Sequence, residues 1–542
     1  MERDAAARPR AEVLGLSALG AAMVLLRAAY SFSYPFDSDE PQHLHIAWAW
    51  TQGLLPYRDV FDNHAPLFHV LSAPLVALIG ENPRILVFMR LALIPIFAAT
   101  LWGSFLLGRR LFGPRAGWWA AILCGLSPTF FFKSVEYRTD VLWAALWVLA
   151  MVVFLSGPCG PRRWFCGGLL LGACLAVSLK TVMLLSALGI AAAGLLLLGV
   201  RPVRMTSSAL AAAGGMVVLP AAIVGFFGSR GALADLYYCA VGHNLLPGVG
   251  RWGYSKRLYL LVPILALLLA AARLLVRRLP ANGIAVAFLL LLSGSQYLLL
   301  STVWPIHTRQ DLLPFYPLFT VLLAGTLLAW RGWGVRVAAA LACLQLLILP
   351  ALSPLRGPGT RDQERLLAEV LRLTDPSDFV MDLKGQSVFR NRPFYYALET
   401  MTLERMARGL IADRIPERCI ETRTCVAPAD IKGFPPRARG FLEDRFVVVG
   451  SWRVAGSLLE PAAEGADRPR SFEIVIPARY IVTAGQGPPQ GMLDGTPCDG
   501  LRDLAPGRHE YRPAGGEGTI AVIWAQAAER GFTPFARRGD TL

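Results

Sequence analysis

The chain has 542 residues, of which 54% are hydrophobic and 17% charged, against about 25% charged in an ordinary soluble protein. Its mean hydropathy of +0.46 excludes a soluble single domain, and it excludes disorder, which needs low hydrophobicity. The net charge of +15 is confined. Residues 356–542 hold 26 basic and 25 acidic groups, so nearly all the surplus lies in the first 355 residues, the hydrophobic part. Loop charge that orients helices in a bilayer accounts for this distribution better than nucleic-acid binding does.

Taken in chain order, the apolar runs predict a polytopic α-helical membrane protein of about eleven transmembrane helices. The expected spans are 11–30, 84–108, 116–132, 140–156, 165–179, 181–199, 207–227, 257–276, 281–302, 312–330 and 335–352. A run of about 20 residues at about 1.5 Å each crosses about 30 Å of hydrocarbon. The first span has no small-residue cleavage site after it and reads as a signal anchor. One set of loops carries Arg3, Arg8, Arg10, Arg109, Arg110, Arg115, Arg162, Arg163, Arg201, Arg204, Arg273, Arg277, Arg278, Arg331 and Arg336. The alternate set is mixed, with Asp37, Asp39, Glu40, Asp59, Asp62, Glu81, Glu136, Asp140, Asp235 and Asp311. Positive charge stays inside. The N-terminus is therefore expected in the cytoplasm, and residues 355–542 in the periplasm or outside, on a multi-pass inner (plasma) membrane protein.

Two outer loops, 31–83 and 228–256, exceed what a connection needs. The first contains two amphipathic stretches, Pro41–Gln52 and Pro66–Gly80, able to lie in the interface plane. Residues 1–354 read as the transmembrane domain. Pro354, Arg356, Gly357, Pro358 and Gly359 make a linker. Residues 355–542 read as an extracytoplasmic mixed α/β domain ending in a β-rich, sandwich-like part. Its expected elements are a helix at 361–373 and strands at 378–382, 446–449, 472–477, 480–483 and 519–525. Cys124, Cys166, Cys174 and Cys343 fall in spans as packing residues, and Cys159 faces the cytoplasm. Cys239, Cys419, Cys425 and Cys498 fall on the oxidising side, where Cys419 and Cys425 could close a short loop. No Cys/His spacing suggests zinc, and no internal repeat argues for an inverted-repeat transporter. Trp452 and Trp524 read as core residues before sugar platforms.

Three polar clusters fall on the outer side. Ser38-Asp39-Glu40-Pro41-Gln42-His43 follows the first span. Tyr57-Arg58-Asp59 and Asp62-Asn63-His64-Ala65-Pro66 follow in the same loop. Glu136-Tyr137-Arg138-Thr139-Asp140 lies between the third and fourth spans. Solvated loop charge is the bland explanation of any one of them. Ionisable groups at membrane depth are costly and usually functional, and three such clusters on one side suggest an outward-facing polar cavity. His43 and His45, two residues apart, would face different ways on a helix. His243 and His307 stand singly.

With these residues in place, the chain resembles the polyprenyl-phosphate-dependent glycosyltransferases of the GT-C fold, notably the protein mannosyltransferase and aminoarabinose transferase type. The resemblance covers about residues 10–350. It rests on Asp39-Glu40 after the first membrane helix and on Gly53-Leu54-Leu55-Pro56-Tyr57-Arg58-Asp59 in the first outer loop. It rests further on Glu136, Arg138 and Asp140 as an E-x-R-x-D motif, on Lys180, and on Arg309-Gln310-Asp311-Leu312-Leu313-Pro314-Phe315-Tyr316-Pro317. Their order is more specific than any one of them. Many relatives carry Lys and two prolines where this chain has His64-Ala65-Pro66, and that Lys faces the lipid phosphate. His64 is only partly charged near neutral pH, which leaves a metal-ligand or sugar-contact role open for it.

The resemblance implies an inverting transfer of a sugar from a polyprenyl-phosphate donor to a lipid, glycan or protein acceptor at the outer face. A carboxylate must take the acceptor hydroxyl's proton. Asp39 is the first choice as base, with Glu40 orienting it or exchanging roles with it. The leaving phosphate needs cations, for which Arg58, His64, Lys180 and Arg309 are the candidates. Tyr57, Asp59, Glu136, Arg138 and Asp140 are expected to bind substrate or organise the site, Arg138 as a structural ion pair in one reading. No cofactor is certain, and a divalent metal ion is possible. The rivals are a transporter or flippase of lipid-linked sugars, which predicts a polar path through the bilayer centre, and a non-catalytic envelope assembly protein, which predicts dispensable carboxylates.

Overall fold

The computed structural model describes residues 2–157, 160–200, 206–249, 258–279, 282–304, 306–330, 332–355, 359–461, 468–485, 487–514 and 518–535. Cys159, Arg201, Arg204, Arg331, the linker residues 356–358, the end of the second outer loop and the side chains of Arg3 and Arg8 lie outside them. The chain forms two compact units. The first comprises 1–43, 63–72 and 86–360; the second comprises 44–62, 73–85 and 361–542.

The first unit is helical. Its elements are α1 (Glu2–Ser33), the start of α2 (Glu40–Thr51), the start of α3 (Leu67–Ile79), α4 (Ile85–Ala92), α5 (Ile94–Phe112), α6 (Pro114–Leu126), α7 (Pro128–Val135) and α8 (Thr139–Leu155). They continue as α9 (Pro161–Val177), α10 (Thr181–Leu197), α11 (Thr206–Ser229), α12 (Leu233–Tyr237), α13 (Leu261–Arg278), α14 (Gly283–Leu298), α15 (Phe315–Ala329) and α16 (Gly334–Leu352). Among the described residues five helical stretches are long and apolar enough to cross a membrane: Arg10–Ser33, Ile85–Phe112, Thr206–Ser229, Gly283–Val303 and Gly334–Leu352. Leu67–Ile79, Thr139–Leu155, Thr181–Leu197 and Phe315–Ala329 are apolar but shorter. A multi-pass helical membrane fold is borne out; a count of eleven crossings is not established by these lengths.

Two runs read as single spans are interrupted, the first within the one apolar stretch Ile85–Phe112 and the second by a full break. The run at 84–108 divides at Leu93, with Pro95 in the first turn of α5. The run at 116–132 divides at Ser127, whose extended backbone ends α6, while Pro128 starts α7. Proline fits a first turn because it lacks the N–H that would be orphaned there. α7 buries Phe130, Phe131 and Phe132 and delivers the chain to Glu136. Helices α9 and α11 meet through small residues. A Cβ on Gly168 would lie 2.0 Å from the Ala212 carbonyl, and one on Gly215 would lie 2.2 Å from that of Phe165. Gly168 and Gly172 thus act as a small-xxx-small seam that admits a neighbouring backbone.

Helix α2 departs from the interfacial reading. It is buried from Glu40 to Ala49, because its His, Gln and Trp side chains find partners inside the protein. Cys124 and Cys174 are buried as expected of packing residues, whereas Cys166 and Cys343 lie on helix surfaces.

The second unit contains α17 (Arg361–Leu373), α18 (Thr400–Ala407), α19 (Ile415–Glu421), α20 (Pro436–Arg445) and α21 (Ala525–Glu529). Its strands are β1 (Val426–Pro428), β2 (Phe446–Val449), β3 (Trp452–Leu459), β4 (Arg470–Ile474), β5 (Ala478–Ala484), β6 (Met492–Leu493), β7 (Thr496–Pro497), β8 (Arg502–Leu504), β9 (Gly507–Arg512) and β10 (Ile520–Trp524). One antiparallel sheet runs β1-β3-β10-β5-β8, with β2 also on β3, and a second runs β4-β9-β6-β7. Strand β10 is buried at every residue, as a central strand covered on both faces requires. The expected strand at 378–382 is reduced to two isolated bridges, at Phe379 and Val380. There the Asp382 carboxylate accepts from the backbone of Gly385 and Ser387 at 2.6 and 2.8 Å, turning the chain away from a ladder. Trp452 is fully buried and its indole N–H donates to the Leu366 carbonyl at 3.0 Å, a core role. Cys419 and Cys425 are buried thiols, not linked.

Candidate active site

The site grows from a tight turn after α1. The Asp37 N–H donates to Glu40 Oε1 at 2.8 Å, the Glu40 N–H to the Asp37 carbonyl at 3.1 Å, and the Asp39 N–H to Asp37 Oδ1 at 3.1 Å. This reciprocal bonding satisfies N–H groups that a helix start leaves orphaned, and it starts α2 at Glu40. The turn sends the two adjacent carboxylates in different directions.

Glu40 goes inward. Its side chain has 0% exposure and receives Arg90 through Nε at 2.7 Å and Nη2 at 2.5 Å. The Tyr137 N–H adds a third donor at 2.8 Å. Arg90 spends its remaining N–H groups on the Tyr34 and Pro35 carbonyls at 2.6 and 3.1 Å and lies over the Phe36 ring at 4.1 Å. A fork-to-fork pair of this kind is geometrically specific. It pins α4, the post-α1 turn and the 136–140 segment together.

Asp39 goes outward. Its side chain keeps 26% exposure and accepts from Arg138 Nη1 at 2.7 Å. The same nitrogen donates to Asp37 Oδ1 at 2.7 Å, and Asp37 keeps 28% exposure. Arg138 also reaches Asp140 through Nε at 3.5 Å. The backbone is extended at Glu136 and Arg138, so these two side chains leave the strand-like segment on one side. Asp140 then opens α8, where the helix dipole favours an acid.

Lys180 sits between α9 and α10. Its Nζ lies 2.9 Å from Asp140 Oδ1 and 2.6 Å from Asp311 Oδ1. Asp311 Oδ2 in turn accepts from the N–H and hydroxyl of Thr308 at 2.7 and 2.9 Å. This capping box holds the 3₁₀ turn Arg309–Leu312, and Arg309 projects from it as an exposed cation. Lys133 lies 2.5 Å from Glu136 Oε1 and 3.8 Å from Asp37 Oδ2.

The charges respond to this packing. Burial opposes the charge on Arg138, but Asp39, Asp140 and Asp37 outweigh it and hold the guanidinium firmly protonated. Lys180 is raised in the same way by Asp140 and Asp311. Burial, with the adjacent Glu40 charge, pushes the Glu136 carboxyl up to about 7. Its Oε2 is buried with no hydrogen-bond partner.

Three histidines gather in the same unit. His43 Nδ1 and His69 Nε2 are 3.0 Å apart, and the His64 ring centroid is 4.5 Å from that of His43. Burial first, then the His64, His69 and Arg138 charges, holds His43 well below the usual histidine range. Asn63, next to His64, accepts from Gln42 at 3.3 Å, and its carbonyl accepts from Asn244 at 2.9 Å.

The structure therefore brings Asp39, Glu40, Glu136, Arg138, Asp140 and Lys180 into one bonded cluster. Tyr57, Arg58 and Asp59 belong to the second unit. There Arg58 grips Asp59 at 2.9 and 3.1 Å, and Asp59 Oδ2 caps the Leu55 N–H at 2.8 Å. Tyr57 is buried with φ 72°, and its carbonyl accepts from the Tyr395 hydroxyl. His45, also in the second unit, bonds the Val388 carbonyl at 2.8 Å. Sequence reasoning missed Arg90, Asp37, Lys133 and Asp311 as parts of the cluster. Arg90 had a signal, an arginine inside an apolar run. Among the described residues no three of His, Cys, Asp or Glu are arranged to hold a metal ion. Asp37, Asp39, Asp140 and Asp311 are engaged by Arg138 and Lys180.

No protein-family model matches the chain, and no curated protein does. Solved structures do. ArnT from Cupriavidus metallidurans bound to undecaprenyl phosphate is 12% identical, with a TM-score of 0.56 over 82% of this chain and 97% of that one. Its apo form is 11% identical, with a TM-score of 0.56 over 83% and 98%. The Archaeoglobus fulgidus oligosaccharyltransferase in complex with Zn and sulfate, 13% identical over 80% and 71%, reaches a TM-score of 0.45, too low to carry weight. At these identities the likeness is one of fold. The GT-C-like fold expected from the order of the motifs is the fold of this chain.

Proposed function

We propose that this chain is an integral-membrane inverting glycosyltransferase. It moves one sugar from a polyprenyl-phosphate donor to a hydroxyl of a lipid, glycan or protein acceptor at the outer face of the membrane. The observation that carries the reading is the division of labour between adjacent acids. Glu40 is closed onto Arg90 with no exposed side-chain surface, while Asp39 keeps 26% exposure beside Arg138. A general base must reach its proton, and Asp39 can.

The step balances without a covalent intermediate. Asp39 accepts the acceptor's hydroxyl proton as that oxygen bonds to the anomeric carbon. The bond from that carbon to the phosphate oxygen breaks, and the polyprenyl phosphate leaves with the electron pair. Arg309, exposed and held by the Asp311 cap, receives the phosphate charge. Lys180 places Arg309 through Asp311 more than it binds phosphate, since two carboxylates already occupy it. His64 stays as a donor contact, while Tyr57 and Asp59 shape the Arg58 turn of the second unit. Glu40, Glu136, Arg138 and Asp140 organise the site. A divalent ion is an optional partner.

The same reading places the N-terminus in the cytoplasm and takes residues 355–542 as a periplasmic domain of an inner-membrane protein. Nothing in the site favours a transporter or an assembly role. Mass spectrometry of cell-envelope lipids and glycans, with and without this protein, tests the proposal. A glycan lacking one sugar, with the donor lipid accumulating, is expected. Identical profiles from the two cells would overturn it.

A further inference from the structure

A second group of polar side chains borders the charged cluster, and it is uncharged. Gln42 and His43 follow Asp39 by three and four positions, the spacing that shares a helix face. The His43 N–H donates to the Asp39 carbonyl at 3.0 Å. Gln42 Nε2 donates to Asn63 Oδ1 at 3.3 Å, and Asn63 Nδ2 to Asn244 Oδ1 at 3.4 Å. Asn244 follows the π-helical turn Tyr238–Gly242 of the second outer loop, and its Nδ2 is anchored on the Asn63 and Ala240 carbonyls at 2.9 and 3.0 Å. Gln42 is buried, whereas Asn63, His64 and Asn244 are part-exposed. The two amide–amide bonds are longer than the usual range of about 2.7–3.2 Å, so a ligand that offers shorter ones displaces them at little cost. His43 Nδ1 meets His69 Nε2 at 3.0 Å, and His43 Nε2 is buried with no hydrogen-bond partner among the described residues.

We propose that Gln42, Asn63 and Asn244, together with His43, are the sugar-binding subsite of the transfer site, and that the sugar they take is neutral and rich in hydroxyls. The inference rests on the glycosyltransferase reading. Side-chain amides carry both donors and an acceptor, and so match ring hydroxyls, which donate and accept. A hydroxyl also serves the orphan His43 nitrogen in either tautomer. A sugar ammonium would need an acid here and a sugar carboxylate a cation, since a buried charge left unpaired is costly. The amide chain supplies neither. Beside the other histidines, the charges that reach His43 are Arg138 and Asp39, which lie 2.7 Å from each other. Asp140, which reaches His64, is held by Lys180. The charged cluster thus serves the phosphate and the proton, and the neutral edge next to it serves the sugar ring.

The full chain in lipid nanodiscs is titrated with short-chain polyprenyl phosphate, bare or carrying a neutral hexose (glucose, galactose or mannose), a hexosamine or a hexuronic acid. Each Kd is read by native mass spectrometry. At least one neutral hexose is expected to tighten binding about tenfold over the bare lipid phosphate, and neither charged sugar to tighten it. Asn63→Ala and Asn244→Ala should each lose about threefold to tenfold of the hexose affinity and bind the bare lipid phosphate as the wild type does. Hexose affinity unchanged in both variants would overturn the inference, as would a hexosamine or hexuronic acid that binds tighter than every neutral hexose. If one variant fails to fold, the other decides. Loss of bare-lipid binding in both would make the amides structural and would also overturn it. The two failures are distinguishable. A wild type that binds no bare lipid phosphate removes the donor reading and the subsite with it, whereas a wild type that binds it and gains nothing from any neutral hexose removes only the subsite.

Discussion

Arg90 and Glu40, fifty positions apart, form a two-pronged pair at 2.5 and 2.7 Å with no exposed side-chain surface on either partner. Every oxygen and nitrogen of the pair has a partner, so it fastens the chain leaving α1 to α4 while its neighbour Asp39 stays accessible. Removing one member of a buried pair strands the other charge, at a cost of about 3–5 kcal/mol. Glu40→Gln is therefore expected to lower the thermal unfolding midpoint and the yield of purified protein, with any loss of turnover following the loss of fold. Wild-type stability in Glu40→Gln, measured by unfolding in detergent, would contradict this.

Asp39→Asn separates chemistry from architecture. It retains an acceptor oxygen for Arg138 and cannot take a proton as a carboxylate does. It should fold, insert and bind donor, and lose transfer by at least about 100-fold. Near-normal turnover would return Asp39 to the status of solvated loop charge.

The two basic residues should fail differently. Arg309→Ala is expected to raise donor KM with normal yield, because the arginine is exposed and, among the described residues, forms no ion pair with a buried acid. Lys180→Met takes its cation from buried Asp311 and leaves Asp140 to Arg138 alone, so a stability loss of about 3–5 kcal/mol should precede any kinetic effect. An unchanged donor KM in Arg309→Ala would take it out of the phosphate role.

Glu136 links pH to stability. Its carboxyl is raised from 4.5 to about 7 in the folded protein, so the folded state binds the proton that the unfolded state has lost. The stabilisation is fully present below about 4.5 and disappears as pH rises through about 7. It amounts to about 3 kcal/mol at about 1.36 kcal/mol per unit. Thermal unfolding of wild type and Glu136→Gln across pH 4.5–8 should diverge as pH rises, with the variant the more stable at the alkaline end. Parallel curves would assign the titration elsewhere.

Topology has a direct measurement. An alkaline phosphatase fused after Leu542 is expected to be active, and a cytoplasmic reporter at the same place silent. The opposite pattern would invert the loop-charge argument and move the proposed site to the other face of the membrane.

Much of this was open to reading along the chain. Apolar runs identify a helical membrane protein because hydropathy is a local property, and the acid pair after the first run marks a candidate site because charge beside a membrane is costly. The order of Asp39-Glu40, Glu136-x-Arg138-x-Asp140, Lys180 and Arg309 points to the fold before any coordinate does. Helix α17 matches its amphipathic pattern residue for residue, Arg361 to Leu373.

What only the tertiary structure decided is which charge meets which. Asp39 and Glu40 are indistinguishable as neighbours in sequence. The α2 start turns one toward Arg90 and leaves the other part-exposed beside Arg138. Arg90 disappears in an apolar run until α4 brings it under the turn. Lys180 looks like a phosphate ligand until Asp140 and Asp311, forty and 131 positions away, are seen to hold it. Tyr57-Arg58-Asp59, close to Asp39 in the chain, folds into the other unit. Secondary structure and membrane partition follow from patterns within a few turns of chain, whereas an ion pair's strength depends on distance and burial. Both are settled between segments far apart in sequence, by the packing that brings them together.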